Sequence, residues 1–120
     1  MSAADEIRRT IVRYGQYIDD RNLEGWVSLY TRDGVHEING RAHHGSEELR
    51  AFMSKAFERI GDLRHLVLGS SIEVDGDQAR ATSDWMTVRK NPDGTVSIAS
   101  VGRFDDVLRV EDGQWRFAHR

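Results

Sequence analysis

The 120-residue sequence contains no cysteine, and this absence excludes several kinds of chemistry at once. Disulfides, a thiol nucleophile, iron–sulfur clusters and cysteine-based zinc sites all require cysteine. We therefore expect a reducing compartment, the cytoplasm. No apolar run approaches 18 residues, and the start of the chain lacks the apolar stretch of a signal peptide, so neither a membrane-spanning helix nor a leader is expected.

Proline and clustered positive charge are also scarce. The only proline is Pro92 and no linker-like segment occurs, which favours a single domain over residues 1–120. The 17 Lys and Arg residues are outnumbered by 20 Asp and Glu residues, the net charge is −3, and no Lys/Arg run exceeds two residues. A nucleic-acid or anionic-membrane partner would need a basic patch, so neither is expected.

Helical periodicity dominates the first half of the sequence. One apolar face predicts a first helix from near Ser2 to Asp19–Asp20, and Asn22 is a plausible cap for a short second helix. A short strand over Val35–Ile38 then leads into a turn. The apolar positions of these two helices are Ile7, Ile11, Tyr14 and Ile18, followed by Leu23, Trp26, Val27 and Tyr30.

A third helix should follow the turn at Asn39-Gly40. Ser46 is its expected cap and Gly61 its expected end. The segment between turn and helix, which includes His43 and His44, is expected to be a solvated return. The apolar face of the third helix carries Leu49, Phe52, Met53, Ala56, Phe57 and Ile60.

The period changes to two in the second half, where turn sequences separate four long segments. This pattern predicts an antiparallel meander that must twist and curl, with Gly69 and Gly102 as bulge or bend points. We expect an α+β fold in which a strongly curved sheet wraps around three helices and leaves a pocket at its open end. The predicted strands are Arg64–Val74, Gln78–Lys90, Thr95–Val110 and Gln114–His119.

Two sets of apolar residues follow from this architecture. Those expected to be largely buried are Ile7, Ile11, Leu49, Phe52, Phe57, Leu66, Trp115 and Phe117. A second set is expected on the convex face of the sheet, where it would mediate a homodimer or homotrimer. Its members are Val88, Phe104, Leu108 and Val110.

The order of several short segments resembles the SnoaL-like branch of the NTF2-like superfamily of cone-shaped α+β barrels. The resemblance covers nearly the whole chain, and it implies the fold more specifically than the function, because that superfamily hosts dehydratases, isomerases, cyclases, hydrolases and binding proteins. The segments that carry it are Arg13-Tyr14, Ile18–Asn22, Leu29–Gly34, Arg64–Leu66, Gly102–Asp106 and Asp112–Phe117.

Within that superfamily, one enzyme subset matches at particular residues. Scytalone dehydratase, bile-acid dehydratases and the hexachlorocyclohexane dehydrochlorinase pair an Asp at the end of the first helix with a His that begins the following long strand. The matching positions here are Asp19 and His65, and Tyr14 has the spacing of a tyrosine used by the bile-acid enzymes. The second catalytic His of scytalone dehydratase and the pocket Arg of the dehydrochlorinase find no evident match.

The chemistry of these residues is consistent with the resemblance. A neutral histidine is a good base near pH 7 when a carboxylate fixes its tautomer, which Asp19 could do for His65. The alternatives remain open: Asp19 could cap the turn, His65 could bond a backbone carbonyl, and Tyr14 could be a core residue. The residues expected to form the substrate pocket, or else the core, are Trp26, Tyr30, Met53, Phe57 and Trp85.

No metal or cofactor is expected. His36, His43 and His44 lack metal-ligand spacing, and no glycine-rich nucleotide loop occurs. His119, near the chain end, is expected to be structural or exposed. The resemblance therefore implies a cofactor-independent lyase, most plainly a dehydratase or a related isomerase or cyclase, acting on a small apolar cyclic, polyketide-, terpenoid- or steroid-like molecule. The alternative is a non-catalytic module that binds a small ligand.

Overall fold

The chain forms three helices and six strands, and the computed structural model describes all residues, 1–120. The helices are α1 (Ala3–Asp19), α2 (Leu23–Ser28) and α3 (Gly45–Ile60). None of them is long and apolar enough to cross a membrane. The strands are β1 (Tyr30–Ile38), β2 (Arg41–His44), β3 (Leu63–Asp75), β4 (Gln78–Lys90), β5 (Val96–Glu111) and β6 (Gln114–His119).

Side-chain caps start the first two helices, as their sequences predict. The Ser2 hydroxyl accepts a hydrogen bond from the Asp5 backbone N–H at 3.1 Å, and the Asn22 side chain accepts one from Gly25. The prediction that Ser46 caps α3 was wrong. His44 is the cap residue and makes no side-chain capping bond; its own N–H donates to the Glu48 carboxylate at 3.0 Å instead.

The six strands form one sheet in the order β2-β1-β6-β5-β4-β3. All neighbours are antiparallel except β1 and β6, which run parallel. This parallel pairing extends β1 back to Tyr30, which was expected in the second helix, because the Phe117 N–H donates to the Leu29 carbonyl at 2.7 Å. The expected solvated return before α3 is instead strand β2, paired with β1.

Register shifts interrupt the sheet at four places, and two of them lie in the pairings of β6 with β1 and with β5. The register between β3 and β4 shifts between Val67 and Gly69, as expected for a bulge near that glycine. The register between β4 and β5 shifts between Thr87 and Val88. Gly102, the second candidate for a bulge or bend, shows no register shift and pairs directly with Trp85.

The core lies between the helices and the inner face of the sheet. Most residues predicted to be buried are buried, and Phe52 and Phe57 are half-buried against the core. Leu66 is 42% exposed, which contradicts the prediction: neighbouring residues on a strand face opposite ways, and His65 takes the inward position. The predicted core residues that are buried are Ile7, Ile11, Leu49, Trp115 and Phe117.

The two faces of β5 are the reverse of those expected. Phe104, Leu108 and Val110 point inward, and Leu108 is fully buried. Side chains at paired positions share a face of the sheet. Val88 of β4 is paired with the exposed Ile98 of β5, so both side chains face outward. We call this group the outer apolar patch: Val88, Val96, Ile98 and Val101.

Candidate functional site

Asp19 and His65 meet where the end of α1 lies over the start of β3. The Asp19 Oδ1 atom is 2.8 Å from the His65 Nδ1 atom. The same carboxylate accepts the His65 backbone N–H, at 3.2 Å to Oδ1 and 3.1 Å to Oδ2. The two side chains are only 9% and 20% exposed, respectively. Asp19 therefore holds both the strand backbone and the imidazole of the same residue.

Gly15 is what allows α1 to lie this close to β3. A Cβ atom at this position would be 2.8 Å from the His65 Cβ atom and 3.1 Å from its backbone oxygen, distances that real Cβ atoms rarely or never show. Gly15 is buried, four residues before Asp19 and so about one helical turn away. The contact between helix and strand is thus set by the absence of a side chain.

The Asp19 contact defines which nitrogen of His65 can act on a ligand. When the carboxylate is ionised, it accepts the Nδ1 proton, and the lone pair of the neutral ring is then on Nε2. His65 lines a cavity beside α1. A carboxylate that fixes the tautomer and orientation of an imidazole in this way enables the ring to accept a proton at its other nitrogen.

Tyr14 lies in the wall of the same cavity and is 7% exposed. Burial raises the pKa of Tyr14 to about 12, an effect that the positive charge of Arg120 opposes. The phenol therefore stays protonated at neutral pH and can donate a hydrogen bond. Tyr14 makes no hydrogen bond to Asp19 or His65; Tyr14 and His65 both line the cavity, and Asp19 contacts it only through its bond to His65.

A buried ion pair that the sequence analysis did not single out places a charged residue, Arg120, in the wall of the cavity. Arg120 donates from Nε and Nη2 to the two carboxylate oxygens of Asp106, at 2.8 and 3.0 Å, and both side chains are almost fully buried. Burial raises the pKa of Asp106, and the ion pair with Arg120 opposes that effect. The Arg120 Cζ atom also lies 3.7 Å from the centroid of the Phe104 ring and 4.3 Å from that of Tyr14.

The cavity itself is small and mostly apolar. Its free volume, open mouth included, is about 270 Å³. Trp85 lies in its wall, with its ring centroid 5.5 Å from that of Phe104. The complete lining is Ile11, Tyr14, Gly15, His65, Leu66, Val67, Trp85, Met86, Phe104 and Arg120.

The other four residues predicted for the substrate pocket lie outside this cavity. Trp26, Tyr30 and Met53 belong to the closed core, and the Trp26 Nε1 atom is buried without a hydrogen-bond partner. Phe57 is half-buried, with the Arg21 Cζ atom 5.6 Å from its ring centroid. Apolar periodicity identifies a buried face but does not separate a pocket wall from a filled core.

The remaining histidines do not form a metal site. His36 is buried, with its Nδ1 atom 2.9 Å from the Tyr30 hydroxyl, and His43 packs against Phe52 at a centroid distance of 4.3 Å. His119 bonds Glu37 at 3.0 Å. No group of three or more His, Cys, Asp and Glu residues has metal-binding geometry.

The sequence matches the SnoaL-like domain family over residues 1–120. The chain belongs to the SnoaL-like family. A comparison with curated proteins found no match. The fold and the family that the short sequence segments implied are therefore confirmed, although membership of this SnoaL-like family does not specify an activity.

Solved structures similar to this SnoaL-like protein give the same fold. A function-unknown protein from Mycobacterium tuberculosis is 34% identical, with a TM-score of 0.86 over 96% of this chain and 71% of its own. An NTF2-like protein with a cystatin-like fold from Novosphingobium aromaticivorans is 24% identical, with a TM-score of 0.88 over 98% of this chain and 78% of its own. A protein from Catenulispora acidiphila, solved in complex with S-DNPA, is 22% identical, with a TM-score of 0.84 over 98% of this chain and 89% of its own.

Proposed function

We propose that this protein is a cofactor-independent lyase, a dehydratase of a small apolar cyclic substrate. The observation that carries this proposal is the 2.8 Å contact between Asp19 and His65 at a mostly apolar cavity. The proposed substrates are β-hydroxy carbonyl compounds of the polyketide-, terpenoid- or steroid-like kind, in which the hydroxyl group is on the β carbon relative to the carbonyl. The same groups could also run a double-bond isomerisation or a cyclisation.

In the proposed reaction, the His65 Nε2 atom takes a proton from the carbon next to the carbonyl. The electron pair of the broken C–H bond moves onto the carbonyl oxygen, where the hydroxyl of Tyr14 and the guanidinium of Arg120 stabilise the negative charge. The electrons then return to form the carbon–carbon double bond. The C–O bond of the hydroxyl group breaks, and the leaving oxygen takes the proton from the His65 imidazolium to become water. Asp19 stabilises that imidazolium.

A screen of cyclic β-hydroxy ketones would test the proposal, with the absorbance of the conjugated enone as the readout. Once a substrate is found, His65→Ala and Asp19→Asn should each lower kcat by roughly 10²- to 10⁴-fold, the usual contribution of positioned acid–base groups. His44→Ala is the matched control, because His44 is exposed and outside the cavity, and it should keep full activity. Full turnover in both site variants would contradict the mechanism.

The second candidate function is ligand binding without chemistry. It is favoured by the mostly apolar lining of the cavity, and the similar protein from Catenulispora acidiphila was solved in complex with S-DNPA. In that case Asp19 and His65 only orient the ligand. A ligand that binds, remains unchanged on long incubation and is weakened by His65→Ala would support this function over the lyase.

We also propose that the protein forms a homodimer or homotrimer through the outer apolar patch. Val96, Ile98 and Val101 are 65%, 64% and 67% exposed. A group of large apolar side chains on one sheet face is typical of a protein–protein contact. Phe104, Leu108 and Val110, which the sequence predicted for this interface, point into the core and take no part in it. A small-molecule ligand and a second copy of the chain are therefore the partners proposed.

A further inference from the structure

Arg21 follows α1 in a backbone conformation that arginine rarely adopts. Its φ is 56°, in the left-handed region. Its backbone N–H donates to the Ile18 carbonyl at 3.1 Å, and the Asn22 N–H donates to the Tyr17 carbonyl at 2.8 Å. These two bonds form a Schellman cap, in which the left-handed residue is usually glycine. A residue with a Cβ is strained there, and such strain persists where the surrounding structure compensates for it.

The guanidinium of Arg21 provides that compensation by joining the ends of two helices. Its Nη1 atom donates to the Ile18 carbonyl of α1 at 3.1 Å, and Nη2 donates to the carbonyl of Gly61, the cap residue of α3, at 2.8 Å. The Cζ atom also lies 5.6 Å from the ring centroid of Phe57 on α3. The last carbonyls of a helix lack partners within it and carry partial negative charge, which favours a cation. Arg21 thus clamps the end of α1 to the end of α3.

This clamp lies beside the contact between Asp19 and His65. The residue whose carbonyl the Nη1 atom holds directly precedes Asp19. The Gly61 carbonyl also accepts the N–H of Leu63, the first residue of β3, at 3.2 Å, and His65 follows two residues later. Two contacts therefore join the end of α1 to the start of β3. The carboxylate of Asp19 holds His65 itself, and the guanidinium of Arg21 holds the segment before it.

The contact between Asp19 and His65 depends on where the end of α1 lies. A carboxylate near the C-terminus of a helix is repelled by the partial negative charge of the last carbonyls, and helix ends also fray. Arg21 brings a positive charge and two hydrogen bonds to this end, which oppose both effects. Because Arg21 is exposed and does not line the cavity, it acts on the pair by position and not by touching a ligand.

We propose that Arg21 is a positioning residue for the Asp19–His65 pair. It holds the end of α1 against the start of β3, so that the carboxylate keeps a proton on the Nδ1 atom of the imidazole and leaves Nε2 free to accept one. The inference rests on this pair being the functional site, as proposed above. It concerns how the pair is held and not which molecule it acts on, so its first readout is the state of the His65 ring.

Arg21→Asn removes the guanidinium with little backbone penalty, because asparagine also adopts this cap conformation. The tautomer of His65 is measured from the nitrogen NMR signals of its neutral ring, and the Nδ1–H form should predominate in the wild-type protein. In the variant, the ratio of the Nδ1–H form to the Nε2–H form should fall at least threefold. The His65 backbone N–H should exchange with solvent at least tenfold faster, since it too bonds Asp19.

Arg13→Gln is the matched control. Arg13 is an exposed arginine of α1 whose Cζ atom lies 5.7 Å from the Tyr17 ring centroid, and it does not bond a helix end. Its loss should leave the tautomer ratio and the exchange rate of His65 unchanged. Unchanged His65 signals in Arg21→Asn would overturn the proposal, and so would equal changes in the two variants.

A double variant tests whether Arg21 acts through Asp19. Asp19→Asn alone should shift His65 toward the Nε2–H form, because an amide is a weaker acceptor for the Nδ1 proton than a carboxylate. Adding Arg21→Asn should then have no further effect on the His65 ring, since the effects of residues in one network are not additive. A further change as large as that seen with Asp19 in place would overturn the positioning role.

Turnover separates this inference from the proposed reaction. Once a substrate is known, Arg21→Asn should lower kcat by up to roughly 10²-fold, the cost of a small misplacement of a reacting group. KM should stay nearly unchanged, because Arg21 does not line the cavity. If the His65 signals change as expected but the wild-type protein converts no β-hydroxy ketone, the lyase is wrong and the positioning role stands. Full kcat and wild-type His65 signals in Arg21→Asn would overturn the positioning role and leave the lyase standing.

Discussion

His36 is buried in the core, 2% exposed, with its Nδ1 atom 2.9 Å from the Tyr30 hydroxyl. Desolvation lowers its pKa to about 3, and the positive charges of Arg120, His43 and His119 contribute in the same direction. The folded protein therefore keeps this imidazole neutral at pH values where the unfolded chain protonates it. Below the unfolded value of about 6.5, the unfolded state binds more protons, so stability must fall as the pH falls.

His36→Asn should remove this acid sensitivity. The Asn amide can still bond the Tyr30 hydroxyl but does not titrate. Between pH 7 and pH 5, the wild-type protein should lose about 2 kcal/mol more of its free energy of unfolding than the variant, as measured by urea denaturation. His44→Asn, at an exposed position, should keep the wild-type loss. An identical pH dependence in wild type and His36→Asn would contradict the prediction.

The Asp106–Arg120 pair makes a prediction about folding stability. Removing one charge of a buried pair leaves the other without compensation, which typically costs about 3–5 kcal/mol. Asp106→Asn should therefore destabilise the protein by about that amount in urea denaturation. The double variant Asp106→Leu/Arg120→Met should be destabilised less than Asp106→Asn, since it buries no charge. A larger loss in the double variant would show that packing, and not charge, governs this position.

These residues show what the sequence could and could not predict at this scale. Asp19 and His65 were identifiable because both lie in short segments with a recognisable order. Arg120 was not identifiable as a cavity residue, because a lone arginine after the last strand carries no local signal. Its partner Asp106 lies 14 residues earlier in the chain. Asp106 did carry a local signal in the sequence. It is spaced by two from Phe104 and from Leu108, so a strand places its carboxylate on the same face as these apolar residues.

The packing of α1 on β3 yields a prediction at the scale of elements. Alanine is normally the better helix residue than glycine by roughly 0.5–1 kcal/mol. At Gly15, however, the added methyl group would contact the His65 Cβ and the strand backbone, which cannot move cheaply. Gly15→Ala should therefore destabilise the protein by about 1–3 kcal/mol, the usual cost of overpacking. The NMR signal of the His65 Nδ1 proton should broaden or vanish as the contact with Asp19 loosens.

Ser54→Ala provides the control for helix propensity, because Ser54 is exposed on α3. It should leave stability and the His65 signal nearly unchanged or slightly raise the stability. A Gly15→Ala variant that is more stable than the wild type, with the His65 signal intact, would show that the helix and strand can separate without cost. The close approach would then be incidental to the site.

Elements were predicted where the signal was local, and errors arose where it was not. Ser2 and Asn22 cap their helices because capping needs only the next three residues. The true start of β1 depends on a partner strand far along the chain, so Tyr30 was misplaced. Alternation in β5 correctly grouped Phe104 with Leu108, but period two does not say which face is inward.

At the scale of the whole molecule, the order of helices and long strands was enough to predict an α+β fold with one curved sheet. It could not predict that β1 and β6 pair in parallel, since that contact joins the start of the sheet to the last strand. One consequence of the topology concerns assembly. The helices cover only one face of the sheet, and the other face carries the outer apolar patch on β4 and β5.

This uncovered face should hold copies of the protein together. A dimer or trimer would remove Val96, Ile98 and Val101 from water, and each fully buried side chain of this size contributes about 1.5–3 kcal/mol. Val101→Lys would place a charge in that contact and should give a monomer by light scattering at micromolar concentration. Val12→Lys, at an exposed apolar position on α1, should keep the assembly. A wild-type protein that is monomeric at this concentration would contradict the proposed contact.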